Sequence, residues 1–469
     1  MTLDEIAAVT GGRLVNADPA AVVTGPVEYD SRKVVPGGLF VAFEGEKVDG
    51  HEFAGAAVAA GAAGVLGTRD TGRPGVVVED PLLALARLAR VVIGRLPELT
   101  VVGLTGSSGK TTTKDYIGQL LARLGPTVAP AGSLNNELGH PYTVLKATPD
   151  TRFLVLEMGA RGIGHIRELA EVAPPRIGVV LNVGAAHIGE FGSVEGTARA
   201  KGELVEALPA SGVAILNADD ALVAAMAGRT EARVVLVGES TGAAVRAVDV
   251  TLDDRGRATY TLVTAHGSAP VRLGVTGRHQ VSNTLAAAAV ALESGMTVGD
   301  VAAALGTVGI VSGRRMDVFD RPDGVTVIDD SYNANPSSTA AALRALAALG
   351  RGRRTTAVLG YMAELGEFET AGHEDVGRLA AELGVDRLIA VTENAAPILD
   401  GAMSVESWQG QAIFATDQVA AIGALNGDLR PGDVVLVKGS RYRTWEVADA
   451  LRPGARTGGS SAAAEGVRP

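Results

Sequence analysis

Residues 99–112 read Leu99-Thr100-Val101-Val102-Gly103-Leu104-Thr105-Gly106-Ser107-Ser108-Gly109-Lys110-Thr111-Thr112: a short apolar run, a glycine-rich turn, then polar residues able to open a helix. Few structures accommodate that succession. The apolar run reads as a buried strand, and the turn lets backbone N–H groups converge on an anion at a helix N-terminus. Lys110 adds a point charge suited to phosphate, and Thr111 a hydroxyl suited to Mg²⁺. A strand–loop–helix unit of this kind sits in a parallel sheet, so the motif constrains the fold along with the ligand. Its spacing departs from the common Gly-x-x-x-x-Gly-Lys-Thr pattern, because Leu104 stands where the first glycine would be. What remains is the shorter loop Thr105-Gly106-Ser107-Ser108-Gly109-Lys110-Thr111-Thr112.

A chain of 469 residues exceeds one ordinary core, so two or three domains are expected. Hydrophobic residues make up 46% of it, with 61 glycines and few aromatics, which suits Val/Ala/Leu-rich α/β sheets. A formal charge of −11 argues against a nucleic-acid partner, which needs a basic face, while leaving room for a local anion site. With no cysteine, thiolate metal sites, disulfides and cysteine nucleophiles are excluded. The start Met1-Thr2-Leu3-Asp4-Glu5 lacks the pattern of a signal peptide, and no apolar run reaches the ~18 residues of a membrane span. A cytoplasmic protein without a membrane span is the expectation.

Three units follow from the patterning. Residues 1–95 hold short strands such as Gly38-Leu39-Phe40-Val41-Ala42-Phe43 and Gly75-Val76-Val77-Val78, closed by an amphipathic helix over 81–95. Residues 96–312 repeat apolar strands and helices, with strands at 153–157, 177–182, 212–217 and 234–237, and read as a doubly wound, mostly parallel sheet. Within them, 244–275 carries turn signals such as Asp254-Arg255-Gly256 and predicts an antiparallel appendage. Residues 313–453 predict a second, Rossmann-like α/β sheet with strands at 325–329, 355–359, 387–391 and 434–438. The Gly/Ser/Ala-rich tail 454–469 is expected to be disordered.

Ligands of an open parallel sheet bind outside the carboxyl ends of its strands, so strand-end polar residues are the candidates. Glu157 ends the strand after the P-loop, where a carboxylate beside phosphate suits Mg²⁺. His187 follows the next strand and is as readily a structural histidine as a ligand. Lys201, on a predicted helix, reads by itself as an exposed lysine. In the third unit, Asp330-Ser331-Tyr332-Asn333-Ala334-Asn335-Pro336, Gly360 to Glu367 and Lys438-Gly439-Ser440-Arg441 end three strands and read as a ligand-binding rim. Asp30-Ser31-Arg32 could meet a phosphate through a hydroxyl and a guanidinium, and without context is an ordinary loop.

Together these pieces resemble the Mur ligases, ATP-dependent amide-forming enzymes of peptidoglycan synthesis. The shortened P-loop carries the resemblance. So do Leu134-Asn135-Asn136-Glu137-Leu138-Gly139, Glu157-Met158-Gly159-Ala160-Arg161, the stretch from His187 to Ser193, and 330–336. These stretches are similar to those of the member that joins D-alanyl-D-alanine to UDP-N-acetylmuramoyl-tripeptide, and the likeness runs over nearly the whole chain. The resemblance implies a three-domain enzyme using ATP and Mg²⁺, with residues 105–112 around the phosphates and Lys110 on the β- and γ-phosphates. It further implies Thr111 and Glu157 on one Mg²⁺, and His187 and a carbamylated Lys201 on a second. Asn283 would contact adenine, Tyr332 would pack on it and Asp330 would take the ribose. Arg314 or Arg315, with Arg315 preferred, would reach the γ-phosphate. Asn135 and Asn136 would touch the acceptor, Ser31 and Arg32 the UDP, and Asn333 and Asn335 the substrates. Asp115 stands where members often carry glutamate. A monomer is expected.

Three alternatives remain open on sequence. A sister Mur ligase adding one amino acid, such as the one that adds the third residue, would carry an Asn/Asp-Pro-Arg signature for the diamino acid, which is absent. A folylpolyglutamate synthase would not explain residues 30–53. A regulatory P-loop NTPase would need a base-reading motif such as Asn-Lys-x-Asp, and would leave the polar rim of the third unit unexplained.

Overall fold

The computed structural model describes residues 1–45, 47–184 and 191–454. Among them the chain forms three sheets, joined in sequence order and each covered by helices. The outcome is the three-domain α/β architecture that the alternation of strands and helices predicts.

The first sheet has five strands. Arg13–Val15 runs antiparallel to Gly75–Val77, and Gly64–Gly67, Leu39–Val41 and Val27–Glu28 follow in parallel. Helix Pro81–Gly94 packs its buried Leu85, Leu88 and Ala89 inward. It starts cleanly because Pro81 needs no N–H at the first turn and Asp80 accepts from the N–H groups of Leu82 and Leu83.

The nine-stranded central sheet positions the P-loop. Thr100–Thr105 lies between Phe153–Glu157 and Ile177–Val180, all parallel. The chain winds first to one side of Thr100–Thr105 and then to the other, so its carboxyl end marks the reversal of strand order where a crevice opens. Alternate residues serve opposite faces, as strand geometry requires. Val102, Leu104, Val155 and Val179 pack against Tyr116, Ile117 and the alanine-rich helix Gln280–Glu293. Val101, Leu154, Leu156 and Val180 pack against Leu204 and Ile166 on the other side. The antiparallel stretch is continuous with this sheet: Val237 and Gly238 pair in parallel with Val245 and Arg246, and 245–276 then folds back on itself twice.

The third sheet has six strands in the order Asp317–Asp320, Thr326–Asp329, Val434–Lys438, Thr355–Gly360, Arg387–Val391 and Gln411–Ala415. Its first and last strands were not expected from sequence. All but the first pair are parallel, which brings the ends at Asp329, Gly360 and Lys438 to one edge. No helix among the described residues is long and apolar enough to cross a membrane.

Candidate functional site

The carboxyl edges of the central and third sheets, with one residue of the first unit, enclose a cleft of about 980 Å³. The P-loop forms its floor. Gly109 has a φ of 80° and caps the helix Lys110–Leu121, a backbone state only glycine adopts readily. A Cβ there would also lie 2.6 Å from Asn283 Oδ1, so the loop and the helix Gln280–Glu293 meet through the missing side chain. Lys110 donates to the Gly106 carbonyl at 2.7 Å. Burial, reinforced by the Arg315 charge, lowers its pKa against the opposing pull of Glu157.

Glu157 is held by three donors. Thr111 Oγ1 donates to one carboxylate oxygen at 2.9 Å, and Ser133 Oγ and Asn135 Nδ2 donate to the other at 2.8 and 2.9 Å. Glu157 is buried and still lines the cleft. Two hard oxygen ligands at a helix N-terminus, one of them anionic, form a donor set that fits Mg²⁺.

Lys201 corrects the reading of its own position as surface: it is 2% exposed and lines the cleft. Helix Val194–Glu206 places it against the sheet, with Glu203 of the same helix accepting from the Gly164 and Arg167 N–H groups. Burial, and then the charge of Lys110, push the Lys201 pKa well down. Among the described residues its ammonium has no hydrogen-bond acceptor. His187 lies outside the described residues.

The third unit contributes Arg315. The doublet divides its work: Arg314 pairs with Asp449 at 2.9 Å and faces away, whereas Arg315 lines the cleft with its guanidinium 4.1 Å over the Tyr332 ring. Both neighbours of Arg315 are left-handed, Arg314 at φ 61° and Met316 at φ 51°, a strain of about 1–3 kcal/mol each. Among the described residues, the buried Arg315 Nε has no hydrogen-bond partner. Asp330 lines the cleft, accepts from the Met316 N–H at 3.0 Å and pairs with the buried Lys438. Lys438 also donates to the Asn333 carbonyl at 2.9 Å.

Asn135, Asn136, Asn283, Asn333 and Asn335 all line the cleft, as do Ser107, Ser108 and Thr112. Several side chains are already committed. Asn136 accepts from the Gly139 N–H, Asn283 donates to Gln280, and Asn335 caps the helix Pro336–Leu349 in a capping box with Ser338. Thr105 and Gly106 sit beneath the loop and do not line the cleft. Neither do Ser31 and Arg32: the Arg32 guanidinium is exposed and engaged by Asp30 at 2.8 Å. The first unit reaches the cleft through Tyr29 instead, packed edge-on against Tyr142, whose hydroxyl donates to Glu28 at 2.9 Å.

Sequence reasoning passed over Ser133, Lys114 and Tyr29, and gave Lys438 no role beyond the rim. Lys438 alone carried a readable signal, a lysine ending an otherwise apolar strand.

Three family models match the chain: Mur ligase family, catalytic domain over 26–98; Mur ligase middle domain over 104–291; and Mur ligase, glutamate ligase domain over 314–441. The UDP-N-acetylmuramoyl-tripeptide–D-alanyl-D-alanine ligase of Mycobacterium tuberculosis is 49% identical, covering 96% of this chain and 97% of that protein. Its Escherichia coli counterpart is 36% identical, over 95% and 97%. Among solved structures, MurF from Acinetobacter baumannii superposes with a TM-score of 0.85 at 32% identity, covering 96% of this chain and 98% of that one. MurF ligase from Thermotoga maritima in complex with ADP gives 0.79 at 30%, covering 92% and 97%. With a P-loop, a strand-end carboxylate, a buried lysine and an arginine gathered from two sheets, and full-length relatives on both measures, the chain belongs to the Mur ligase family.

Proposed function

We propose that the protein is an ATP-dependent, ADP-forming ligase that joins D-alanyl-D-alanine to UDP-N-acetylmuramoyl-tripeptide through an acyl phosphate. The observation that carries the reading is the convergence of Lys110, the Thr111–Glu157 pair, buried Lys201 and Arg315 on one cleft. The relatives of that name, aligned end to end, favour the dipeptide over a single amino acid as the amine.

In this reading the terminal carboxylate of the tripeptide attacks the γ-phosphorus in line, forming a C–O–P bond as the bond to ADP breaks. Lys110 and Arg315, from opposite sides of the cleft, offset the charge on the transferring group. The amine of the dipeptide then attacks the acyl carbon, losing a proton as phosphate leaves. Residues 107–112 cradle the phosphates, with Thr105 and Gly106 supporting them from outside the cleft, and Asn283, Asp330 and Tyr332 hold the nucleoside. Asn135, Asn136, Asn333 and Asn335 face the peptide substrates, the last two through backbone or residual amide groups. Ser31 and Arg32, beside Tyr29, take the UDP end, for which Arg32 must leave Asp30. The working division is 1–95 for the UDP-muramoyl end, 96–312 for ATP and 313–453 for nucleoside and dipeptide.

Mg²⁺ would be held by Thr111 and Glu157, and a second ion by His187 and Lys201; when bound it neutralises phosphate charge. Lys201 suits that place only as an anion. Its lowered pKa supplies a neutral amine that can add CO₂, lose a proton and become a carbamate. We further propose a cytoplasmic monomer.

Phosphate release with ATP and UDP-N-acetylmuramoyl-tripeptide, with the amine varied, tests the reading. Release that depends on D-alanyl-D-alanine is expected. Release only with a single amino acid or a folate would overturn it.

A further inference from the structure

One face of the P-loop helix Lys110–Leu121 does more than begin at the phosphate site. Asp115 and Gln119 on the helix, and Arg123 just beyond it, follow an i, i+4, i+8 spacing that aligns them on a single side. Each holds a different residue of the connector leading into the third sheet. Arg123 donates to Thr307 Oγ1 at 2.7 Å. Gln119 exchanges two hydrogen bonds with the Gly309 backbone, at 2.8 and 3.0 Å. Asp115 accepts from the Ser312 N–H at 2.8 Å and from its hydroxyl at 3.1 Å. The connector therefore runs antiparallel to the helix, toward the P-loop, and three residues after Ser312 it delivers Arg315 to the cleft.

The last rung is buried and tied to Glu157 as well. Asp115 and Ser312 are each 4% exposed. Lys114, also buried, pairs with Asp115 at 3.1 Å and donates to the carbonyls of Pro130 and Gly132. The Gly132 N–H donates to Ser312 Oγ at 2.9 Å, and the next residue, Ser133, donates to Glu157. Buried, fully engaged polar groups of this kind fix one geometry, because any shift strands a donor or acceptor.

We propose that this ladder is the device that registers the third domain against the nucleotide, with Asp115 and Ser312 as positioning residues for Arg315. The inference rests on the reading in which Arg315 meets the γ-phosphate. It adds that Arg315 arrives there because the P-loop helix itself carries the connector. Neither residue lines the cleft, so their loss should leave nucleotide binding largely intact and disturb the alignment needed for phosphoryl transfer.

The test compares Ser312→Ala, Asp115→Asn, their double variant and Asp115→Glu with the parent. ADP affinity, kcat at saturating substrates and inter-domain distance are measured in each. The chain has no cysteine, so a label pair at Glu171→Cys and Met403→Cys reports the distance directly. ADP affinity within about threefold of the parent, with kcat lower by about 10- to 100-fold, is expected for Ser312→Ala and Asp115→Asn. The double variant should lose little more than the worse single, and the label distance with nucleotide should broaden. Asp115→Glu should recover part of kcat.

Unchanged kcat, or kcat falling in parallel with ADP affinity, would overturn the proposal. So would an unchanged distance distribution. Should Asp115→Asn fail to fold, Ser312→Ala and Gln119→Ala carry the same criteria. The distance measurement needs only nucleotide, so a parent enzyme that ignores D-alanyl-D-alanine would defeat the functional reading without touching this one.

Discussion

Replacing Lys438 by methionine should destabilise the third domain severely, and the structure says by how much. The side chains of Lys438 and Asp330 are 2% and 14% exposed, so the pair belongs with buried ion pairs. Methionine fills the stem's volume and deletes the ammonium, leaving the Asp330 carboxylate with the Met316 N–H and the Asn333 carbonyl without its donor. Breaking a buried pair from one side costs about 3–5 kcal/mol, and the residual donor to Asp330 puts this case near the lower end. At ~2–4 °C per kcal/mol for a unit of this size, Tm should fall by roughly 6–12 °C. Removing the stranded charge should recover much of that: Lys438→Met with Asp330→Asn should melt above Lys438→Met alone. Differential scanning calorimetry of Lys438→Met, Asp330→Asn, the double variant and the parent decides it. A Tm drop under about 2 °C for Lys438→Met, or a double variant below both singles, would show that the pair is not the buried tie described.

Other outcomes follow from the same geometry. Gly109→Ala should weaken ATP binding at least about tenfold, since it sets a Cβ against Asn283 in a left-handed residue, and calorimetric titration with ADP would show it. Lys110→Ala and Lys201→Ala should each abolish ADP release, and short-chain carboxylates should partly restore only the second. Because protonation of Lys201 blocks carbamate formation, activity should fall with decreasing pH and with CO₂ removal; insensitivity to both would refute the carbamate. His140 is fully buried, and burial depresses its pKa to about 4 against the smaller opposing effect of the Leu169 and Glu157 backbone. Its folded pKa lies below the unfolded one, so stability should be lost as pH falls from about 6.5 toward 4, by on the order of 3 kcal/mol. His140→Leu should flatten that slope in urea titrations.

The three-sheet fold was legible because its strands are short apolar runs at regular intervals and its central unit opens with a glycine loop that has one structural meaning. The strands at 317–320 and 411–415 escaped because they are edges. Asp317-Val318-Phe319-Asp320 is flanked by carboxylates, and Gln411–Ala415 is half exposed, so neither reads as a buried strand. In the cleft, the P-loop and Glu157 could be located from strand ends alone. Lys201 could not, because its burial comes from the way its helix packs on strands Thr100–Thr105 and Ile177–Val180, which the helix sequence alone does not show. The division between Arg314 and Arg315 depends on two left-handed residues that no local pattern announces. Asp115 and Ser312 lie 197 positions apart, a pairing that exists only once the chain has folded.

The lysine of the P-loop is not idle before a ligand arrives, for it rests on the carbonyl of Gly106. A neutral carbonyl is a modest acceptor, and a phosphate oxygen is a far stronger one. The loop thus starts from a satisfied state, and a ligand must offer more than one weak anionic contact to draw Lys110 away. Inorganic phosphate and short anions meet that requirement poorly. A polyphosphate that simultaneously reaches the loop amides, Thr111 and Arg315 meets it well. On the proposed reading, the resting position of this one side chain favours a polyphosphate over smaller anions.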